Sequence, residues 1–375
     1  MRYFNVSIQD LKTRDLALWQ EYAAPNGQLI SPYLTPDFAQ AVARVRTDCR
    51  VLLLEDQQKP VGFLPFHAPA RGIVRPIAAP MSDYQGLVAK PGLTLDPEAA
   101  LSHMKASAMV FNNWTGPIPS GVRQRAGSAV IDLSKGAQCY FAAQSARFKD
   151  HFKKMARRLR KAEAEFGPMR VELGDATGTA FQTLKAWKSR QYQMSGKLDL
   201  FAIEWVDQLL SDLASRRFGT LKGIVASLYF GDTVAAVEFG IAAGDVYHSW
   251  FPAYNPQFAK VSPGLLLLHG LIETVGRQGI TRIDLGKGDC AYKKYYTSYE
   301  MPLMEGRMLA PGLAAARIYG MELAQDMCDH LPGVVSKGVK KLRGRWAHTA
   351  AFERRLDRRF QLMGAAMAAQ LSAKS

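Results

Sequence analysis

The side chains of this chain best suited to chemistry lie in its second half. Glu238 and His248 sit in consecutive stretches, "TVAAVEFGIAA" and "VYHSWFPAY", that otherwise alternate apolar and small residues. A carboxylate or imidazole partly removed from water there has its pKa moved toward neutrality, which suits a general base. On the wet face of a sheet the same side chains would be ordinary solvent-facing groups, and the pattern leaves both readings open. Asp284, at the end of "ITRIDL", poses the same choice. Directly after it comes "GKGDCAYKKYY". Gly286 and Gly288 allow that turn to fold tightly against a ligand. The Tyr292 hydroxyl can protonate a leaving thiolate, and the Lys293 ammonium can hold a phosphate or carboxylate.

A second group precedes an apolar run, "KVSPGLLLLHGLI". Ser262 reads as an N-cap, Pro263 as the first helical residue and Gly264 as the next. A helix start offers unpaired N–H groups and partial positive charge to an anion. Lys260 adds a cation, and Gly264 permits close approach. The plainer reading is a well-formed helix start and nothing more. Metal chemistry is not expected: the seven histidines are scattered, with no HExxH. A nucleophile elbow and a Walker loop are absent too. The four cysteines (Cys49, Cys139, Cys290, Cys328) lie far apart without a CxxC, so they read as reduced thiols.

The elements that must position these groups follow from periodicity. In the second half, two helices (about 176–195 and 203–216) flank "SGKLDLF". Three strands follow, with tight turns at Gly231-Asp232 and Ala243-Gly244-Asp245, then the helix from Pro263 and the strand "ITRIDLG". That is β–β–β–α–β. The first half repeats the rhythm: "CRVLLLED" and "PVGFLPFHA" form a hairpin, "SDYQGLVAKPG" a loop and "SAVIDLS" a short strand. Between the halves, Gln138 to Phe166 takes a helical period, with Phe148, Phe152, Met155 and Leu159 on one face. After about Ala310 the chain turns helical and basic, with a stripe of Phe352, Leu356, Phe360, Met363 and Met367.

Charge bounds the partners. The formal net charge is +15 over 375 residues, and residues 147–170 and 317–375 carry +6 each. Such segments favour an anionic partner: nucleic acid, an anionic membrane surface, a nucleotide or an acidic carrier protein. DNA binding is not expected, because the phenylalanines of the basic helix are taken up by its apolar stripe. The longest strongly apolar run, 264–272, is too short to span a bilayer. The opening "MRYFNVSIQD" has no signal-peptide core, so a cytoplasmic setting is expected.

Taken together and in order, "LPF" (64–66), "SDYQGL" (82–87), "KKMARRLRKAEAEFG", "SPGLLLL" (262–268) and "DLGKGDCAYKKYY" resemble the CelD/BioF2-like acyltransferases of the GNAT superfamily. More distantly they resemble the FemABX aminoacyl transferases. The similarity covers roughly residues 1–305. It implies an α/β (α+β) chain of twin GNAT-like (acyl-CoA N-acyltransferase) domains. Their bounds would be 1–140 and 169–309, joined by a basic connecting helix (141–168) and followed by a basic helical tail (310–375).

The activity implied is acyl transfer from acetyl-CoA or another thioester to an amine or hydroxyl. The acceptor class is an amino sugar of an exported or holdfast-type polysaccharide, free or lipid-linked. In such folds the thioester arm lies between two splayed strands and its phosphates meet the next helix. Lys260, Ser262, Gly264, Gly286, Gly288 and Lys293 would then serve the donor. Glu238, His248 or Asp284 would be the base, Tyr292 the acid, and Ser82, Asp83 and Tyr84 would line the acceptor pocket. The usual pyrophosphate loop, Arg/Gln-x-x-Gly-x-Gly/Ala, is replaced by "QFAKVSPG", which leaves an acyl carrier protein as another donor. The resemblance also implies a tail that meets cyclic di-GMP and the inner membrane surface, with Arg354/Arg358 or Arg355/Arg359 gripping phosphate. Two rival functions remain: aminoacyl transfer from tRNA in cell-wall synthesis, and a non-catalytic effector that senses nucleotide or lipid.

Overall fold

Two left-handed residues, Gln57 and Gln58 (φ 46° and 63°), close the first hairpin with the twist that a two-residue connection requires. The computed structural model describes residues 1–117, 120–175, 177–312, 320, 344–346, 348–353 and 355–372. Its strands are β1 Arg2–Ser7, β2 Cys49–Asp56, β3 Lys59–Ala70, β4 Ile73–Pro76, β5 Val88–Ala89, β6 Ala108–Trp114 and β7 Val122–Asp132 in the first half. The second half contributes β8 Met169–Leu173, β9 Arg217–Phe218, β10 Leu221–Phe230, β11 Thr233–Ala243, β12 Val246–Tyr254, β13 Arg282–Lys287 and β14 Tyr299–Leu309. The helices are α1 Thr13–Ala23, α2 Pro36–Val45, α3 Pro97–His103, α4 Gly136–Arg147, α5 Lys149–Phe166, α6 Thr179–Ser195, α7 Glu204–Ser215, α8 Pro263–Gly276 and α9 Leu356–Ser372.

All fourteen strands of the described residues belong to one sheet, in the order β1-β2-β3-β4-β6-β14-β7-β13-β12-β11-β10-β8, with β5 on β3 and β9 on β10. The mixed α/β class and the β–β–β–α–β run of the second half match the sequence expectation. The order at the centre does not follow from it. β14, the last strand among the described residues, inserts between β6 and β7, and β7 then pairs with β13. Each half lends a strand to the other.

Alternation along the strands sorts the core. Val237, Phe239 and Ile241 of β11 face the largest apolar cluster, which α1, α2, α6 and α7 cover. Ala236 and Ala242 face a second cluster closed by α4, α5 and α8, and a third lies under α3. The helical period from Gln138 to Phe166 is broken at Phe148 (φ −128°, ψ 49°), which ends α4 and begins α5. Its ring turns edge-on to Tyr295 at 5.4 Å. Met155 of the predicted stripe is buried in the second cluster, and Phe152 and Leu159 pack against it.

The tail stripe is also interrupted. Phe352 is buried and stacks on Trp205, whose indole N–H donates to the Phe352 carbonyl at 3.0 Å. Leu356 and Phe360, on α9, are exposed. Most of "RIYGMELAQDMCDHL" and "PGVVSKGVKKLRGR", and Cys328, lie outside the described residues. Among the described residues, Cys49 is buried, Cys139 and Cys290 are exposed, and no helix is long and apolar enough to cross a membrane.

Candidate active site

The site forms where two parallel strands part. β12 and β13 pair at Val246/Arg282, Tyr247/Ile283 and His248/Asp284, and there the ladder stops. β12 runs on to Tyr254 and β13 to Lys287 without further pairing to each other. Just past the fork β12 carries a bulge: Phe239 faces Phe251 and Gly240 faces Ser249, leaving Trp250 as the extra residue. Bulges re-aim side chains and end pairing, which is what a fork requires. The result is a gap with a polar group on each side of the sheet.

On the side of the α1–α2–α6–α7 core stand His248 and Asp284, neither exposed to solvent. Asp284 is held by three donors: Tyr84 O–H to Oδ2 at 2.5 Å, Ser128 O–H to Oδ1 at 2.6 Å and Gly286 N–H to Oδ1 at 2.8 Å. His248 Nε2 is 2.8 Å from Asp83 Oδ2, and Nδ1 faces Asp284 Oδ1 at 3.5 Å. The second contact is an ion-pair distance without hydrogen-bond geometry, and Nδ1 has no hydrogen-bond partner among the described residues. Burial alone would lower the His248 pKa. The charges of Asp284 and Asp83 and the Asp83 hydrogen bond overcome it, so the imidazole is held above its ordinary value. Burial pushes the Tyr84 phenol far up, with the Asp284 charge adding to it, so Tyr84 remains a donor. The Asp83 side chain is 28% exposed, and it is the member of this chain of contacts that meets solvent.

On the α8 side lies Glu238, 4% exposed, which accepts a hydrogen bond from the Tyr247 hydroxyl at 2.9 Å. Gly240 makes that bond possible, because a Cβ there would collide with the Tyr247 hydroxyl. Burial raises the Glu238 pKa against the opposing bonds from Ser249 and Tyr247. Tyr292 is half-buried; burial, and then the Glu238 charge, push its phenol well up, so it stays protonated. The nearby Lys188 is pushed down to about 8, first by burial and then by Lys197. Both Glu238 and His248 are therefore buried, which excludes the solvent-facing reading of either.

The glycine turn closes the fork. Gly286 has φ +76°, and a Cβ on it would lie 3.2 Å from Asp83 Oδ2. Gly288, at φ +118°, faces open space. The Lys293 ammonium is buried and donates to the Gly286 and Lys287 carbonyls at 2.7 and 3.3 Å, so it braces the turn from behind. Replacing Gly286 by alanine puts a side chain in the left-handed region and against Asp83. The expected loss is about 1–2 kcal/mol of stability, read from a urea midpoint. A midpoint equal to wild type would show that the turn needs no glycine there.

The donor and acceptor expectations are placed unevenly. Ser262 is left-handed (φ 59°, ψ 59°) and its side chain makes no cap bond, so it does not act as the N-cap read from the sequence. Lys260 is exposed on the 3-10 turn Pro256–Val261 that leads into α8, and Gly264 has open space where a Cβ would be. Ser82 is fully buried, and its hydroxyl donates to the Ile77 carbonyl at 3.0 Å. Asp83 and Tyr84 join the His248 cluster, so groups expected to bind acceptor meet groups expected to be catalytic. Tyr33 and Ser128 belong to the cluster as well. Neither gives a signal in sequence, because both contacts cross long chain separations.

Arg354 lies outside the described residues, and Arg355 pairs with Asp357 at 2.7 Å. Arg358 is exposed, whereas Arg359 is 9% exposed, donates to the Glu353 carbonyl and lies over the Trp346 ring.

Two further polar nodes are structural in character. The Tyr296 hydroxyl lies 2.7 Å from His269 Nε2 and 3.2 Å from His151 Nε2, tying α8, α5 and the closing turn together. Burial pushes His269 down to about 4. Asp48, Cys49 and His67 also come within 4.8 Å of one another. There the Ala78 N–H donates to His67 Nε2 and Arg46 binds both oxygens of Asp48, so the group forms an ion-pair node.

Comparison with known proteins bears on the fold. Residues 149–294 match the family described as Acetyltransferase (GNAT) domain. The crystal structure of FemX superposes with a TM-score of 0.51 at 12% identity, covering 86% of this chain and 99% of FemX. A conserved protein of unknown function from Bacteroides thetaiotaomicron VPI-5482 gives 0.50 at 10% identity, over 80% and 98%. A tandem GNAT protein from the clavulanic acid biosynthesis pathway gives 0.49 at 11% identity, over 83% and 99%. At these identities the likeness is one of fold. No curated protein matches the chain. Residues 149–294 therefore carry a GNAT acetyltransferase domain, and the chain as a whole shares the fold of FemX.

Proposed function

We propose that the enzyme transfers an acyl group from a thioester to an amine or hydroxyl of a sugar, in the modification of an exported polysaccharide. The observation that carries the chemistry is the fork: the β12–β13 ladder stops at His248/Asp284, with Asp83 at the solvent edge of that pair. A thioester lying in the gap has the Asp83–His248–Asp284 cluster on one side and Glu238 with Tyr292 on the other. The polysaccharide acceptor and its CelD/BioF2-like, holdfast-type class rest on the resemblance of the sequence motifs.

The reaction needs no covalent enzyme intermediate. The acceptor's lone pair attacks the carbonyl carbon and forms the new C–N or C–O bond. The proton it sheds passes to Asp83 and the buried imidazole behind it, in the state where His248 is neutral. The C–S bond then breaks, and the thiolate takes the Tyr292 proton. Glu238, held neutral more readily by its burial, then returns a proton to Tyr292. The start of α8, with exposed Lys260 and the open space at Gly264, fits a phosphate of the donor. The Ser262 backbone, left-handed without a glycine, departs from the glycine loop of related enzymes.

Calorimetric titration with acetyl-CoA tests the donor. Micromolar binding, weakened by Lys260→Ala, is expected. No binding at millimolar ligand would sink acetyl-CoA as donor and turn the search to an acyl carrier protein. One specific observation favours a second reading, aminoacyl-tRNA as donor. Lys153, Lys154, Arg157, Arg160 and Lys161 are exposed on α5 and have no ion pair among the described residues. Tight RNA binding with a steep salt dependence would support that reading over the first.

A further inference from the structure

Tyr33 stands in the wall of this site and has no task in the reaction described above. It lies in the 3-10 turn Pro32–Leu34, and the turn is firmly pinned. Ser31 Oγ accepts from the Tyr33 N–H, Thr35 O–H donates to the Pro32 carbonyl at 2.8 Å, and the buried Trp19 indole donates to the Leu34 carbonyl at 2.9 Å. The ring is boxed edge-on by Phe38, His248 and Trp250, with centroids 5.0, 4.9 and 5.2 Å away. Trp250 is the bulge residue just past the fork, so Tyr33 flanks the place where the strands part.

A side chain this well held has a hydroxyl with nothing to bond. Tyr33 is 2% exposed, and its oxygen has no hydrogen-bond partner among the described residues. Buried hydroxyls are almost always paired, because an unpaired one forfeits its hydration without return. Beside it, His248 Nδ1 also lacks a hydrogen bond among the described residues, although it faces Asp284 Oδ1 at 3.5 Å. Burial, then the charges of Asp83 and Asp284, hold the Tyr33 phenol well above its usual range, so it remains a donor. A buried donor hydroxyl left without a hydrogen bond beside the His248–Asp284–Asp83 cluster marks a place where a polar atom of something else belongs.

We propose that Tyr33 is a further catalytic residue, donating a hydrogen bond to the thioester carbonyl oxygen as that oxygen becomes an oxyanion. The role rests on the acyl-transfer reading. As the acceptor's lone pair forms the new bond to carbon, the carbonyl π pair moves onto oxygen and Tyr33 O–H bonds to it, keeping its proton. When the carbonyl re-forms, the C–S bond breaks and sulfur takes its proton from Tyr292. A donor left unpaired in the resting enzyme spends its bond where charge develops, which is how such groups lower a barrier.

The test is Tyr33→Phe, which removes one oxygen and keeps the ring. With acetyl-CoA and a glucosamine acceptor, kcat is expected to fall roughly 10²-fold, with KM little changed. The urea midpoint is expected to stay level or rise, since an unpaired buried group has gone. A purely structural hydroxyl, or one that only holds a water, predicts a lower midpoint and an unchanged kcat, and that result overturns the proposal. The wild type separates the two levels. Wild-type turnover with an equally active Tyr33→Phe enzyme removes this role alone. A wild type that transfers from no thioester to any amine or hydroxyl removes the acyl-transfer reading and this role with it.

Discussion

Replacing His248 with glutamine is expected to lower kcat/KM by roughly 10²–10⁴-fold, the range that a positioned general base supplies, while the thioester still binds. The pH profile carries the sharper test. His248 is held above 6.5 by the carboxylates around it, and the relay accepts the acceptor's proton only when the imidazole is neutral. Wild-type kcat/KM should therefore rise with pH through one ionisation above 6.5. Removing a carboxylate takes away what raises that ionisation. Asp284→Asn should move the acid limb to lower pH, even if the plateau is reduced. An acid limb that stays in place in Asp284→Asn, or a His248→Gln enzyme with wild-type kcat/KM, would exclude His248 from the proton path. The same shift has a stability consequence of fixed sign. A histidine whose folded pKa is raised stabilises fully below about 6.5 and loses that contribution as pH rises through the folded value.

Asp284→Ala is the second large effect, and it is one of stability. Three donors converge on this carboxylate: the Tyr84 and Ser128 hydroxyls and the Gly286 N–H. Alanine leaves all three buried without an acceptor, and leaves a raised-pKa imidazole short of one carboxylate. Breaking a buried charged network from one side typically costs about 3–5 kcal/mol, a large share of the 5–15 kcal/mol of an ordinary domain. The urea midpoint should fall steeply. Asparagine keeps an oxygen for Ser128 and Gly286 and should cost clearly less. A difference between alanine and wild type under about 1 kcal/mol would mean that water replaces the carboxylate and that the site is wetter than it appears.

How much of this was legible beforehand depends on the range of the interaction. The β–β–β–α–β run could be read because its turns and periods are local: Gly231 and Gly244 are left-handed where the turns were expected. Glu238, His248 and Asp284 could be picked out as polar residues in apolar strands, and burial is what makes them unusual. Their partners could not. Asp83 and His248 are 165 residues apart, and Tyr84 and Asp284 are 200 apart. No spacing rule reaches that far. Ser82 and Lys293 suit ligand binding by residue type, yet the fold uses both on backbone carbonyls. The helix break at Phe148 is a tertiary event, since the ring leaves the helical stripe to meet Tyr295. Tyr33 gave no warning because an unpaired hydroxyl is a property of surroundings and not of sequence.

The exchange of strands at the centre of the sheet bears on how the protein is made. When the ribosome has finished residue 132, β7 exists but neither of its eventual neighbours does. β13 comes some 150 residues later and β14 later still. Until then β6 and β7 present open edges, the usual template for unwanted pairing with another chain. Ser128, which β7 contributes, waits equally long for Asp284. The first half therefore emerges as an unfinished sheet, and the arrival of residues 299–309 closes it. A gene cut between the halves would yield two pieces, each lacking a strand that the other holds. Moving the breakpoint beyond β14 is the condition for any soluble fragment that keeps the fork intact.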